Sequence, residues 1–273
     1  MEFDLSKIEL SNNDIRRGIR LPTILTKELA EFMGIMVGDG HLGYYKGRYS
    51  NGKKYVTYQI KIACNKREDL YISYIRNLFY SLFGMQLSYI QDGAPGAILL
   101  SRDSKAILGF LNTICEIPLN SKTATVSVPN LIKNATPSII CAFLRGLADT
   151  DFSLAFKDRT HKGHNYPVLR GSFRSENLIR DLETIFQNLG FIYCVTYNQR
   201  RYDKRKAGYN TISSIYLNGR KNFGKWLDLI GFSNPKFQDK VEKWQADGVC
   251  PPYYEKAPAE TRTRVLLLTK QPL

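Results

Sequence analysis

The chain has 273 residues, 43% of them apolar and 12% aromatic, enough to bury a core in one large domain or two ordinary ones. Thirty-nine basic residues against 25 acidic ones leave a net charge of +14, which points to an anionic polymer or surface as partner. No apolar run approaches the roughly 20 residues that span a bilayer and no secretory leader opens the chain, so an intracellular soluble protein is expected. It would sit in the cytoplasm of a prokaryote or in an organelle, neither secreted nor partnered with a membrane. The five cysteines (Cys64, Cys115, Cys141, Cys194, Cys250) are scattered and never form a Cys-x-x-Cys pair, which argues against a disulfide framework or a zinc site. The histidines (His41, His161, His164) likewise lack metal-ligand spacing.

Residues 1–25 read as an N-terminal lead of mixed charge that stops at Pro22. Thr26 is a suitable N-cap for a helix from Lys27 to about Gly38. Two strands are expected near 41–49 and 54–64, joined by the turn Ser50-Asn51-Gly52. A helix follows near 66–83 with Leu70, Ile75, Leu78, Phe79 and Leu82 on its apolar face, then short strands near 86–91 and 97–101 and a helix from Ser104 to Cys115. A stretch carrying Pro118, Pro129 and Pro137 serves as linker, and the order then repeats. A helix near 138–150 precedes strands near 153–159 and 166–174, a helix at 176–189, strands near 192–200 and 209–217, and helices near 219–230 and 235–246. The expectation is an α+β protein of two similar units, 26–120 and 138–250, joined by 121–137 and followed by a loose tail at 251–273.

The basic residues are concentrated in the strands. From Gly40 to Arg67 there are seven Lys or Arg and no acid. Lys46, Arg48, Lys53, Lys54 and Lys61 are interleaved with tyrosines, and Tyr55, Thr57, Gln59 and Lys61 alternate onto one strand face. The second half offers Lys157, Arg159, Arg170, Ser172 and Arg174, and a hairpin-tip cluster of Gln199, Arg200, Arg201, Lys204 and Arg205. An ordinary amphipathic sheet explains the alternation but not the missing acids. Antiparallel ribbons carrying such side chains fit the DNA major groove.

A short phrase occurs twice. Residues 32–40 read Phe-Met-Gly-Ile-Met-Val-Gly-Asp-Gly and 144–152 read Leu-Arg-Gly-Leu-Ala-Asp-Thr-Asp-Phe, placing Asp39 and Asp151 at matched positions 112 residues apart. Each acid falls at a helix C-terminus, the negative end of the dipole, which costs about 0.3–1 kcal/mol. A site, rather than stability, accounts for the same unfavourable choice twice. Gly34 and Gly38 share one helical face, as do Gly146 and Thr150, and small residues at that spacing let two helices approach closely. Two carboxylates brought together that way repel unless a cation neutralises them. Mg²⁺ suits hard oxygen ligands and completes its shell with water and phosphate, as metal-assisted phosphodiester hydrolysis needs. Lys122 follows Asp39 by 83 residues and Lys236 follows Asp151 by 85, so each acid has a lysine placed to stabilise developing negative charge.

With the duplicated Gly-x-x-x-x-Asp phrase, the repeated αββαββα order and the matched lysines, the chain resembles the LAGLIDADG homing endonucleases in their single-chain, two-motif form, over about residues 26–246. Phe143–Asp151 and Ile230-Gly-Phe-Ser-Asn-Pro-Lys236 carry the likeness most closely. The resemblance implies two pseudo-symmetric halves whose antiparallel sheets form a saddle on a long, asymmetric double-stranded DNA site. It also implies a monomer that cuts both strands across the minor groove and leaves short 3′ overhangs. Asp39, Asp151, Gly38 and Thr150 would form the metal set, with Mg²⁺ replaceable by Mn²⁺ and with Ca²⁺ supporting binding without cleavage. Lys122 and Lys236 match the basic active-site lysines, and Asn65 and Arg174 fall near a polar, water-organising position. Phe152 departs from the motif's final Gly, so its local turn must differ, and Val37 replaces the acid often found at the sixth position. The chain opens at Met1 without flanking splice residues, so an intron-encoded or freestanding enzyme is expected. The alternative on the same fold is an intron RNA maturase, with its own intron RNA as partner.

Overall fold

In a computed structural model describing residues 2–91, 96–159, 161, 163–203 and 207–254, the repeat becomes two matched halves. The first contains α1 (Asn12–Arg16), α2 (Lys27–Val37), β1 (Gly40–Arg48), β2 (Lys54–Asn65), α3 (Asp69–Phe83), β3 (Ser88–Gln91), β4 (Ala97–Asp103) and α4 (Lys105–Thr113). After a short α5 (Asn130–Lys133) come α6 (Pro137–Asp151), β5 (Phe152–Lys157), β6 (Tyr166–Phe173), α7 (Glu176–Asn188), β7 (Tyr193–Asp203), β8 (Gly208–Asn218), α8 (Gly219–Leu229) and α9 (Pro235–Asp247). Each half holds a four-stranded antiparallel sheet with the same crossover, in order β1-β2-β4-β3 and β5-β6-β8-β7. The pseudo-twofold relation predicted from the repeat is thus present in the topology.

Local chemistry sets the element ends. The Thr26 hydroxyl accepts from the Leu29 amide at the start of α2, and Ser104 and Ser175 do the same for α4 and α7. Glycines in the left-handed region, Gly84 and Gly248, close α3 and α9. α3 begins at Asp69 rather than near residue 66 because the Asn65 carboxamide accepts the Arg67 amide and holds the chain in a turn. The N-terminal lead is tied to the first half through Asp14. This buried carboxylate accepts from the Ser11 and Ala106 amides and the Ser104 hydroxyl. Neither α1 nor α5 has enough residues to show a hydrophobic period, so neither is marked in the sequence.

The halves meet along α2 and α6. A Cβ on Gly34 would lie 2.1 Å from the Phe143 carbonyl oxygen, and one on Gly146 would lie 2.0 Å from that of Glu31. Both positions therefore require glycine for the helices to touch backbone to backbone. Around this seam the core is aromatic, with Phe32 against Phe79 and Phe83 in one half and Trp226 against Phe152, Phe186 and Phe191 in the other.

Candidate active site and nucleic-acid interface

Helix approach brings the acids together. A Cβ on Gly38 would meet the Thr150 hydroxyl at 2.1 Å and Asp151 Oδ2 at 3.1 Å, so the Asp151 carboxylate lies over the backbone next to Asp39. The two turns differ. α6 runs through Asp151 into β5, whereas α2 stops at Val37 and Asp39 stands in a turn before β1. That turn is fixed by the Ala63 amide of β2, which donates to the Asp39 carbonyl at 3.0 Å. It also explains Phe152. Gly40 could carry no side chain, since a Cβ there would sit 2.5 Å from Met36 Cα. Phe152 has extended backbone (φ −94°, ψ 156°) and lays its ring over Gly171.

Lys122 is delivered by the segment after α4. Leu119 bridges to Leu42 on the edge strand β1, and the Asn120 amide donates to the Leu42 carbonyl at 2.6 Å. The ammonium then donates to the carbonyls of Met36, Val37 (2.7 Å) and Gly38 (2.7 Å). Three acceptors use all three donors of a charged lysine. The cation therefore caps the negative end of α2 and relieves the cost of placing Asp39 there. Burial draws Lys122 down to about 8, opposed by the charges of Asp151 and Asp39. Lys122→Met is expected to cost about 2 kcal/mol in denaturant unfolding by stranding these carbonyls; an unchanged midpoint would refute the cap.

Lys236 is held differently. Its ammonium lies 3.3 and 3.5 Å from the two carboxylate oxygens of Glu68 at the N-terminus of α3. The preceding residues are also engaged across the halves. Ser233 donates its amide to Asp149 Oδ2 (2.8 Å) and its hydroxyl to Glu31 Oε1 (2.6 Å), while the Asn234 carboxamide donates to Glu68 Oε2 at 2.7 Å.

Burial and the neighbouring Asp151 charge push Asp39 up to about 7 against the pull of Lys122 and Lys236. Burial raises Asp151 to about 6 against the same two lysines. Asp39 keeps an exposed face on a cleft of about 400 Å³ also lined by Cys64, Asn65, Glu68, Thr150 and Lys236. Burial holds the Cys64 thiol up near 12. Among the described residues no group of three or more His, Cys, Asp and Glu forms a metal cage. A lone pair of raised carboxylates suits a hard divalent cation that keeps most of its shell for water and substrate. Asp39, Asp151 and the Thr150 end of α6 fit that role, while the Gly38 carbonyl already accepts from Lys122. Asn65 lines the cleft, but its carboxamide oxygen is engaged by Arg67. Arg174 is exposed just past β6, outside that cleft's lining.

The strand residues divide by face. On β2, Ile60 and Ile62 point to the core, so Tyr55, Thr57, Gln59 and Lys61 point away from it, paired across β1 with Gly47, Tyr45, Gly43 and His41. The Tyr45 hydroxyl bonds His41 at 2.9 Å, and its ring covers Gly43. Lys46, Arg48 and Lys54 lie on the opposite face of the same ribbon, and Lys53 is in its turn. In the second sheet Lys157, Arg170 and Ser172 point away from the core. The Arg170 guanidinium donates to the Ser214 hydroxyl (3.1 Å), which bonds Ser172 (2.9 Å). Arg159 stacks 3.9 Å from the Tyr166 ring. A bulge between Thr196 and Gln199, with Asn198 at φ 52°, shifts the register. Gln199 and Arg201 thereby join the open face, while Arg200 turns to the Tyr209 ring. Lys204 and Arg205 lie outside the described residues.

No family model matches the chain. Solved structures do. I-DmoI in complex with DNA and Ca aligns at 17% identity, over 80% of this chain and 97% of that one, with a TM-score of 0.52. I-SmaMI bound to uncleavable DNA aligns at 12% identity over 82% and 91%, with a TM-score of 0.53. The chain has the two-half LAGLIDADG homing endonuclease fold. I-DmoI in complex with DNA and Mn aligns similarly, at 18% identity over 77% and 99%, with a TM-score of 0.50. In sequence the chain is also similar to a segment of a probable translation initiation factor IF-2 of Thermococcus kodakarensis, 23% identical over 78% of this chain but 15% of that protein. Another such segment lies in a glutamine–fructose-6-phosphate aminotransferase of Methanocaldococcus jannaschii, 19% identical over 84% of this chain and 18% of that protein. The chain thus spans less than a fifth of the length of these curated relatives.

Sequence reasoning missed the polar junction beside the acids: Glu31, Glu68, Tyr74, Asp149 and Ser233 on the homing endonuclease scaffold. One signal was available, since Glu68 is the first acid after the acid-free stretch from Gly40 to Arg67.

Proposed function

We propose that this protein is a site-specific double-strand DNA endonuclease of the homing type, acting as a monomer on a long asymmetric site. The observation that carries the proposal is the pair Asp39 and Asp151, brought together by glycine contacts between α2 and α6 and flanked by two sheets with basic open faces. Lys61, Arg170, Gln199 and Arg201 stand where they can contact a duplex along those faces, fixing register through phosphates and reading base edges. Asp39 and Asp151 hold the divalent cation, Mg²⁺ or Mn²⁺, which when bound supplies charge neutralisation and polarisation at the scissile phosphate. Lys122 and Lys236 add fixed positive charge beside the same phosphates as negative charge develops. I-DmoI is in complex with DNA and Ca or Mn, and I-SmaMI is bound to DNA, which supports DNA and a divalent cation here.

The curated relatives bear unrelated names, a translation factor and an aminotransferase, and each matches about four-fifths of this chain within a segment that is under a fifth of its own length. That pattern suits a self-contained unit carried within other genes, so we infer that its gene is an insertion, intron-borne or otherwise. The test is selection of cut ends from a randomised duplex library in Mg²⁺. Recovery of one long asymmetric consensus cut on both strands is expected. Failure to cut any duplex, with tight binding to a structured intron RNA instead, would overturn the proposal in favour of splicing assistance.

A further inference from the structure

We propose that Glu68 is a positioning residue that makes the two strand-cutting centres unequal, by restraining Lys236 across the junction between the halves. This rests on the endonuclease reading above. The matched helices α3 and α7 begin after different residues, Glu68 in the first half and Ser175 in the second. Glu68 is largely buried, with 19% of its side chain exposed, and lies between Lys236 and the Asn234 carboxamide. Ser175 is fully buried and spends its hydroxyl on the Val126 carbonyl and the Leu178 amide. It offers no charge to a lysine.

The two lysines are therefore restrained by different chemistry. Lys122 is locked by three neutral carbonyls at the end of α2, those of Met36, Val37 and the following Gly38. Lys236 is restrained by a carboxylate contributed by the other half. Both lysines interact electrostatically with both acids. Without Glu68, the Lys236 ammonium is free to swing towards Asp39 and compete with a cation for its oxygens. The cleft geometry makes that competition local, because Asp39, Asn65, Glu68 and Lys236 line the same cleft. A second groove of about 590 Å³ continues from Glu68 and Lys236 towards Asp239. Lys122 has no such freedom, so the loss should fall on one strand.

The test uses the full chain and a selected cognate duplex labelled differently on each strand. In Glu68→Gln, one strand should be cut at nearly the wild-type rate and the other about tenfold more slowly, so that nicked duplex accumulates. Lys236→Met should spare the same strand, and the double variant should be no slower than the slower single. Equal slowing of both strands, opposite strand bias in the two variants, or multiplicative losses would overturn the role of Glu68 while leaving the endonuclease reading intact. A wild-type protein that cuts neither strand would overturn both. Should Glu68→Gln fail to bind the duplex, Glu68→Asp carries the test, because it keeps the charge at shortened reach and should show the same bias.

Discussion

Asp39→Asn and Asp151→Asn are each expected to abolish double-strand cleavage, lowering its rate on the order of 10³-fold or more, while binding to the selected duplex stays within a few-fold. Asparagine keeps the shape of each side chain and removes the charge that would hold a cation. Because α2 and α6 pack backbone to backbone, neither change should disturb the seam. Double-strand cutting that persists in both variants would sink the assignment. The same acids predict a linkage between pH, cation and stability. Asp39 is raised to about 7 by burial and the Asp151 charge, and Asp151 to about 6 by burial, both well above the ordinary carboxylate range. An acid raised on folding holds more protons folded than unfolded, so its contribution to stability is full at low pH and is lost as pH rises towards the folded value. Metal-free protein should thus lose thermal stability between pH 5 and 8. Mg²⁺, bound by the ionised pair, should restore more at pH 8 than at pH 5. The Asp39→Asn, Asp151→Asn double variant should flatten both trends relative to wild type. A melting temperature that tracks pH and Mg²⁺ identically in the two proteins would separate these acids from any cation.

Much of this was legible in the chain because it rests on local periodicity. The matched order of helices and strands, the glycine faces of α2 and α6, and the alternation on β2 follow from spacings of three, four and two residues. What escaped depends on three-dimensional neighbours. The sequence offers Lys122 as a cation near an acid, but its use as a cap for α2 depends on Leu119 and Asn120 docking on β1. The sequence places Gln199, Arg200 and Arg201 together at a hairpin tip, whereas β7 runs on through Asp203 and the bulge at Asn198 puts Gln199 and Arg201 on the open face and Arg200 on the other. That bulge is held by a contact remote in sequence, the Asn198 amide donating to the Ser213 hydroxyl. The junction of Glu31, Asp149 and Ser233 joins residues up to 202 positions apart, which no local pattern encodes.

Gly146→Ala and Gly34→Ala are expected to destabilise the protein by about 2 kcal/mol or more, although alanine is the better helix former by about 1 kcal/mol. The added methyl would stand 2.0–2.1 Å from a backbone carbonyl oxygen of the opposite helix, far inside contact distance, and a backbone cannot rotate away as a side chain can. Relief requires separating α2 from α6, which opens the core around Ile35 and Leu147, both fully buried. Gly224→Ala supplies the opposite case. It lies within α8, a Cβ there would meet nothing within 4 Å, and it should stabilise the fold by about 0.5–1 kcal/mol. Urea unfolding of the three variants checks the ordering; a neutral Gly146→Ala would mean that the helices are not in backbone contact. Gly38→Ala divides stability from chemistry. Its methyl would meet the Thr150 side chain, which can shift, and Asp151 Oδ2 at 3.1 Å. Cleavage should therefore fall further than the unfolding midpoint moves, because displacing one carboxylate spoils the pair while most of the seam remains closed.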